Sequence, residues 1–207
     1  MKRRDFALGL AMSPLLAHAA VDAVEGKTFT AISPVQPVAV AGKIEVIEFF
    51  GYWCPHCRAL EPWLEEWAKK LPAEVNFRRV PVAWQPTQEP HQRLYYALES
   101  IGAPGSIHQK VFSAIQMQGM RLETPAAQVA FATANGLDAK KLTDAMSGFA
   151  VNSKARQATQ TATSYRIDGV PSLTVQGRYL TSPEKANGDE AALQVVDALI
   201  RKAKTLR

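Results

Sequence analysis

The chain has 207 residues, 47% of them hydrophobic and 21% charged, with 24 basic and 19 acidic side chains and a formal net charge of +5. This composition excludes a disordered or fibrous protein and suits one domain of ordinary size, or a small domain carrying an insertion. The charge is too mild to mark a nucleic-acid binder, the more so because three of the basic residues and one acid fall within the first 19 positions.

Those first positions read as a leader. Lys2-Arg3-Arg4 precede an apolar run from Phe6 to Ala17, and Ala17-His18-Ala19 forms an Ala-x-Ala cleavage site, so residues 1–19 are predicted to be a signal peptide. The apolar run of 12 residues is short of the about 20 that a membrane anchor needs. Arg3-Arg4 followed by Phe6 and Leu8 also resembles a twin-arginine signal, so the Sec and Tat export routes both fit. Export leads to an oxidising compartment, where structural disulfides usually join distant segments. Here there are only two cysteines, Cys54 and Cys57, three positions apart. A bridge closing so small a loop removes little unfolded-state entropy, and chemistry explains the pair better than stabilisation does.

After the leader, Ile32 to Gly42 is an extended lead-in rich in Pro, Val and Ala. Lys43 to Phe50 reads as a central strand, apolar on both faces except for Glu45 and Glu48. Gly51-Tyr52-Trp53 turns the chain into a helix that opens at Cys54, with Pro55 in the first turn, where its missing N–H costs nothing. Leu60, Trp63, Leu64, Trp67 and Leu71 give that helix a buried stripe, and Pro62 is expected to kink it. A second strand spans Asn76 to Val82. From Gln88 to about Met146 the pattern is helical, broken near Gly102-Ala103-Pro104-Gly105, Gly119 and Asn135-Gly136. A helix from about Val151 to Tyr165 follows, and Gly169-Val170-Pro171 then introduces the strand Ser172 to Val175. Gln176-Gly177 forms a hairpin turn into Arg178-Tyr179-Leu180, and a last helix runs from Asp189 to about Ala203. This order predicts an α/β thioredoxin fold, with a helical insertion between the central βαβ unit and the C-terminal helix-hairpin-helix. Residues 20–87 and 147–207 make up the thioredoxin-like part, and 88–146 the insertion.

At a helix start the first N–H groups are unpaired and the dipole is positive, so a thiolate at Cys54 is stabilised and its pKa falls. Cys57, one turn further in, is shielded and less nucleophilic, so Cys54 meets substrate and Cys57 resolves. His56 adds positive charge or an N–H donor beside the Cys54 thiolate. Glu48 lies between Val46 and Phe50 on one strand face, where a carboxyl of raised pKa relays the proton of Cys57, whereas Glu45 fits a solvated acid at the strand end. Val170-Pro171 suits a cis peptide bond in a tight turn. A metal site on Cys54, His56 and Cys57 would want a fourth ligand. The remaining histidines outside the leader, His91 and His108, sit in the helical block with no partner motif. Covalent haem would need His where Arg58 stands, so no metal and no cofactor is expected.

Together, Val46-Ile47-Glu48-Phe49-Phe50, Cys54-Pro55-His56-Cys57, Glu61, Lys70-Leu71-Pro72, Gly169-Val170-Pro171 and Gly177-Arg178-Tyr179 resemble, in order, the pattern of the DsbA family of bacterial periplasmic disulfide oxidoreductases. The resemblance implies an exposed attacking Cys54, a buried Cys57, a cis-proline at Pro171, and Val170 offering its backbone to a substrate peptide beside Pro55. It implies a buried Glu48, with a charge pair of Glu61 and Arg79 nearby. It further implies a monomer in the periplasm that donates a Cys54–Cys57 disulfide to exported proteins with free cysteines. A DsbB-like quinone-linked membrane protein would then reoxidise it. A reductase or isomerase would use the same centre, though dimeric isomerases of this kind add an N-terminal dimerisation domain, and only about two dozen residues lie between the leader and the central strand. A metal- or copper-binding thioredoxin-like module is the reading from another class.

Overall fold

The computed structural model describes residues 22–206, so the leader lies outside the described residues. Five strands form one sheet in the order β1-β5-β4-β2-β3. At its centre stands β2 (Ile44–Phe50), every residue of which is buried. Its near-continuous apolar run suits a strand covered on both faces. It pairs in parallel with β3 (Val75–Pro81), from Ile44 opposite Val75 to Phe50 opposite Pro81. On its other side it runs antiparallel to β4 (Ser172–Val175). The connection from β2 to β3 is α1 (Pro55–Ala68), the crossover a parallel pair requires.

Four helices follow β3: α2 (Glu89–Ser100), α3 (Ile107–Gln116), α4 (Pro125–Ala134) and α5 (Ala139–Ser147), broken where Gly102, Gly119 and Gly136 adopt positive φ. The chain returns to the sheet through α6 (Phe149–Ser164), which packs on β3 and α2. After β4 a hairpin leads to β5 (Tyr179–Thr181), the short α7 (Pro183–Ala186) and α8 (Asp189–Lys204), which packs on α1 and β4. One apolar cluster joins Ile47, Phe49 and Phe50 to the helical block, and another joins Ile44, Val46, Leu60 and Leu64 to α8. None of the helices among the described residues is long and apolar enough to cross a membrane.

The structure corrects several expectations. Trp63 is 49% exposed, because the buried face of α1 is Cys57, Leu60, Glu61 and Leu64, a helical i, i+3, i+4, i+7 set that puts position 63 to one side. Trp67 and Leu71 are half-buried, with the Trp67 indole donating to Asp197 of α8 at 2.8 Å. Glu45 is buried and not solvated, since Arg78 beside it donates to its carboxylate at 3.0 Å, as does the Ala39 backbone N–H. It thereby ties the lead-in to the sheet. Two features went unread: the edge strand β1 (Thr30–Ala31), too short for any periodicity, and a cis Ser33-Pro34 bond.

The hairpin turn shows why Gly177 stands where it does. Gln176 and Gly177 both have positive φ, as a type I′ turn demands, and the Gln36 N–H donates to the Gly177 carbonyl at 2.9 Å. A Cβ on Gly177 would collide with the Gln36 carbonyl, whereas Gly136, also at positive φ, faces open space. Gly136→Ala is therefore expected to cost about 1 kcal/mol of backbone strain, and Gly177→Ala about 3 kcal/mol, in urea unfolding. Equal losses at the two sites would show that the lead-in does not press on the turn.

Candidate active site

The turn after β2 delivers Cys54 as the N-cap of α1, in extended conformation, with Pro55 as the first helical residue. The Cys57 N–H points at the Cys54 sulfur at 3.4 Å, and the Cys54 thiol donates to the Val170 carbonyl at 3.2 Å. Both cysteines are free thiols. Cys57 is fully buried and Cys54 is 4% exposed, which corrects the expectation of an openly exposed first cysteine. The backbone of Val170 and the first turn of α1 lie against the sulfur.

The two sulfurs differ in kind. A hydrogen bond from the Cys57 thiol, then backbone N–H groups of Cys57 and His56, hold the Cys54 thiol down at about 6 against the opposing effect of burial. The charge of His56 is the smallest of these contributions, so the helix turn does more than the imidazole. Burial pushes the Cys57 thiol far up, with the charges of Cys54 and Glu48 acting in the same direction.

The Val170-Pro171 bond is cis. Beside it opens a cavity of about 780 Å³ lined by exposed His56 together with Ala59, Val170, Pro171, Leu180 and Lys185, among others. From the opposite side α3 reaches in through Gln116. Its amide donates to the Tyr52 carbonyl at 2.8 Å and the Cys54 carbonyl at 3.0 Å, while its oxygen accepts from Arg58 Nε at 3.0 Å. No local sequence signal distinguishes this glutamine from a solvated one.

Beneath the cysteines lies a buried polar chain. Glu48 accepts from Arg79 Nε at 3.0 Å, and a second nitrogen of the same guanidinium donates to Glu61. Burial, and next the charge of Glu61, raise Glu48 to about 7, and burial raises Glu61 to about 7, with Arg79 opposing both. His108, which has no metal-site partner motif in the sequence, belongs to the same chain: its Nδ1 lies 2.7 Å from the Tyr52 hydroxyl and its Nε2 3.4 Å from Glu61 Oε2. Phe50, Tyr52 and Phe112 pack their rings around this histidine. His91 lies elsewhere, buried 3.5 Å from Glu123. Among the described residues no group of three or more His, Cys, Asp or Glu is placed to hold a metal ion.

Comparison with known proteins gives one consistent result. The family described as DSBA-like thioredoxin domain matches residues 45–199. The thiol:disulfide interchange protein DsbA of Burkholderia cepacia is 42% identical over 195 residues, covering 94% of this chain and 92% of that protein. The crystal structure of Pseudomonas aeruginosa DsbA superposes with a TM-score of 0.85 at 36% identity, covering 87% of this chain and 94% of that one. The oxidoreductase NmDsbA1 of Neisseria meningitidis superposes with a TM-score of 0.80 at 29% identity, over 88% and 94% of the two chains.

Two measurements follow from the electrostatics. In the reduced protein, thiolate ultraviolet absorbance should titrate with a midpoint near 6 and vanish in Cys54→Ser. Cys57→Ala should raise that midpoint more than His56→Ala does, and the reverse order would return the leading role to His56. The second concerns stability. Glu48 has its folded pKa raised from 4.5 to about 7, so between those values the folded state keeps a proton that the unfolded chain releases, and its contribution to stability falls as pH rises. Glu48→Gln removes this penalty. Its gain over the parent disulfide form should be near zero at pH 4 and grow to on the order of 3 kcal/mol by pH 8, as read by chemical unfolding. A pH-independent difference would place the penalty elsewhere.

Proposed function

The chain belongs to the DsbA family of thioredoxin-fold thiol:disulfide oxidoreductases, and from that premise we propose that Cys54 and Cys57 form the disulfide it donates. The observation that supports this assignment most is the asymmetry of the two thiols, one held down at about 6 at a helix start and the other buried and pushed far up.

A substrate thiolate attacks Cys54 Sγ of the disulfide, and the S–S bond breaks with its electron pair leaving on Cys57. Cys57 cannot remain a thiolate in a dry site, and Glu48, a carboxyl at about 7, passes it a proton. A second substrate thiolate then attacks the substrate sulfur of the mixed disulfide. Cys54 leaves as the better leaving group because its pKa is low. Two electrons have passed to the enzyme and one disulfide to the substrate. His56, Pro55, Val170 and Pro171 rim the approach, and the Val170 carbonyl that faces Cys54 is placed to meet the backbone of an extended substrate. A thiolate exists only in the reduced state, so each unit by which its pKa lies below ambient pH favours that state by about 1.4 kcal/mol, roughly 30 mV of oxidising power. This direction favours a disulfide donor over a reductase built on the same centre.

The cell biology follows from the same family. The protein acts in the periplasm after removal of the leader at residues 1–19, as a monomer, on exported proteins with free cysteines, and a DsbB-like quinone-linked membrane protein restores its disulfide. Arg79 with Glu61 sets the charge around Glu48.

In a glutathione buffer the protein without its leader should oxidise a reduced, unfolded, cysteine-containing substrate. Cys54→Ser should be inactive and Cys57→Ser should accumulate mixed disulfides. Trapping by Cys57 in the Cys54→Ser variant would reverse the roles. The reduced form should also melt above the oxidised form at neutral pH, the opposite of a protein stapled by a structural disulfide.

A further inference from the structure

We propose that His108 is a positioning residue that decides which of two buried carboxyls keeps a shared proton, holding the negative charge on Glu61 and the proton on Glu48. The proposal rests on the reading of Glu48 as the group that exchanges a proton with Cys57.

One guanidinium, that of Arg79, serves both carboxyls. The groups that face this cluster are Cys57, Glu61 and Glu65 on α1, Arg79 on β3, Tyr95 on α2, Tyr52 in the turn and His108 on α3. Arg79 is the only cation among them at neutral pH, since burial, and next Arg79 itself, push His108 down to about 3. Ionising both carboxyls would bury a net negative charge, which is costly. The pair therefore titrates as one coupled site and holds a single proton near neutral pH.

Geometry says which carboxyl carries it. Glu48 Oε2 accepts from Arg79, but Glu48 Oε1 is buried with no hydrogen-bond partner. Glu61 differs: Oε1 accepts from Arg79, and Oε2 and His108 Nε2, neither of them hydrogen-bonded, lie 3.4 Å apart, so a small turn of either side chain joins a donor to that oxygen. A bare oxygen is far less costly on a neutral carboxyl than on a carboxylate.

The tautomer of His108 follows from counting donors. If the Tyr52 hydroxyl donates to Nδ1, then Nε2 bears the hydrogen and points it at Glu61. If Nδ1 bore it, the Tyr52 hydrogen would be stranded and a lone pair on Nε2 would face the carboxylate. Only the first arrangement pairs the Tyr52 hydrogen and turns a donor, not a lone pair, towards Glu61. Phe50, Tyr95 and Phe112 pack around the ring and keep it dry. Tyr52 thus sets the tautomer, and the tautomer sets the charge.

The test reads protons directly. In the reduced wild-type protein at pH 6.5, nitrogen NMR of the His108 ring should show hydrogen on Nε2 and a bare Nδ1. The carboxyl infrared band of a protonated glutamic acid, assigned by residue through carboxyl carbon NMR of the wild-type protein, should belong to Glu48 and not to Glu61. His108→Phe should shift the proton from Glu48 towards Glu61 by about tenfold in their ratio, the worth of one charge-assisted hydrogen bond, and His108→Gln, whose amide can still donate, should restore it. A band that belongs to Glu61 in the wild type, or hydrogen on Nδ1, overturns the proposal even if His108→Phe fails to fold. So does a band that ignores His108→Phe. These spectra need no substrate, so they report on His108 alone. The role of Glu48 in thiol chemistry is judged separately, by whether Glu48→Gln changes the rate at which Cys57 is released.

Discussion

A single half-buried guanidinium holds the active end of this molecule together. Arg79 extends from β3 to Glu48 on β2 and to Glu61 on α1, so one cation spans three consecutive elements of the central βαβ unit. Taking these charges out of water is expensive, and the arrangement persists because each partner would be costlier without the others. Its position under the first turn of α1 makes the ground beneath the cysteines electrically responsive. An apolar core there would pack as well, but it would hold no titratable group beneath Cys57.

The two thiols show how much a helix start achieves with backbone alone. Cys54 and Cys57 share one sequence environment, yet a rotation of one turn sends the first sulfur to the unpaired N–H groups and the second into the core. The Val170 carbonyl completes the contrast. It accepts from the Cys54 thiol when that group is protonated, and it offers nothing to the anion. The thiolate therefore gains by turning away from Val170 towards the helix, which releases that carbonyl from its bond to the sulfur.

What was legible in the sequence was local. The run from Ile44 to Phe50, the Cys54-Pro55-His56-Cys57 spacing, the Gln176-Gly177 turn and the helix breaks at glycine all carry their information within a few residues, and the corresponding elements form there. The errors lie where partners are distant in the chain. Glu45 reads as a strand-end acid until Arg78 crosses from the neighbouring strand, 33 residues on. Trp63 reads as core by its helical spacing from Leu60 and Trp67, but Glu61 takes the inward position because Arg79 awaits it. His108 lies 56 residues from Tyr52 and Gln116 lies 64, and neither their spacing nor their neighbours in sequence announce the contacts. The covering of Cys54 likewise depends on Val170, 116 residues away.

The Gln116 bridge carries a consequence for how such a protein is assembled from parts. By sequence the helical block looks like a cassette inserted between two halves of a thioredoxin fold. Yet α3 supplies the amide that binds the carbonyls of Tyr52 and Cys54, and the imidazole that faces Glu61. Exchanging the block for that of another protein would leave two carbonyls in the redox turn without their donor and one buried carboxylate without its neighbour. The block is thus not interchangeable upholstery on a catalytic frame, and a chimera has to carry α3 across together with the turn that it holds.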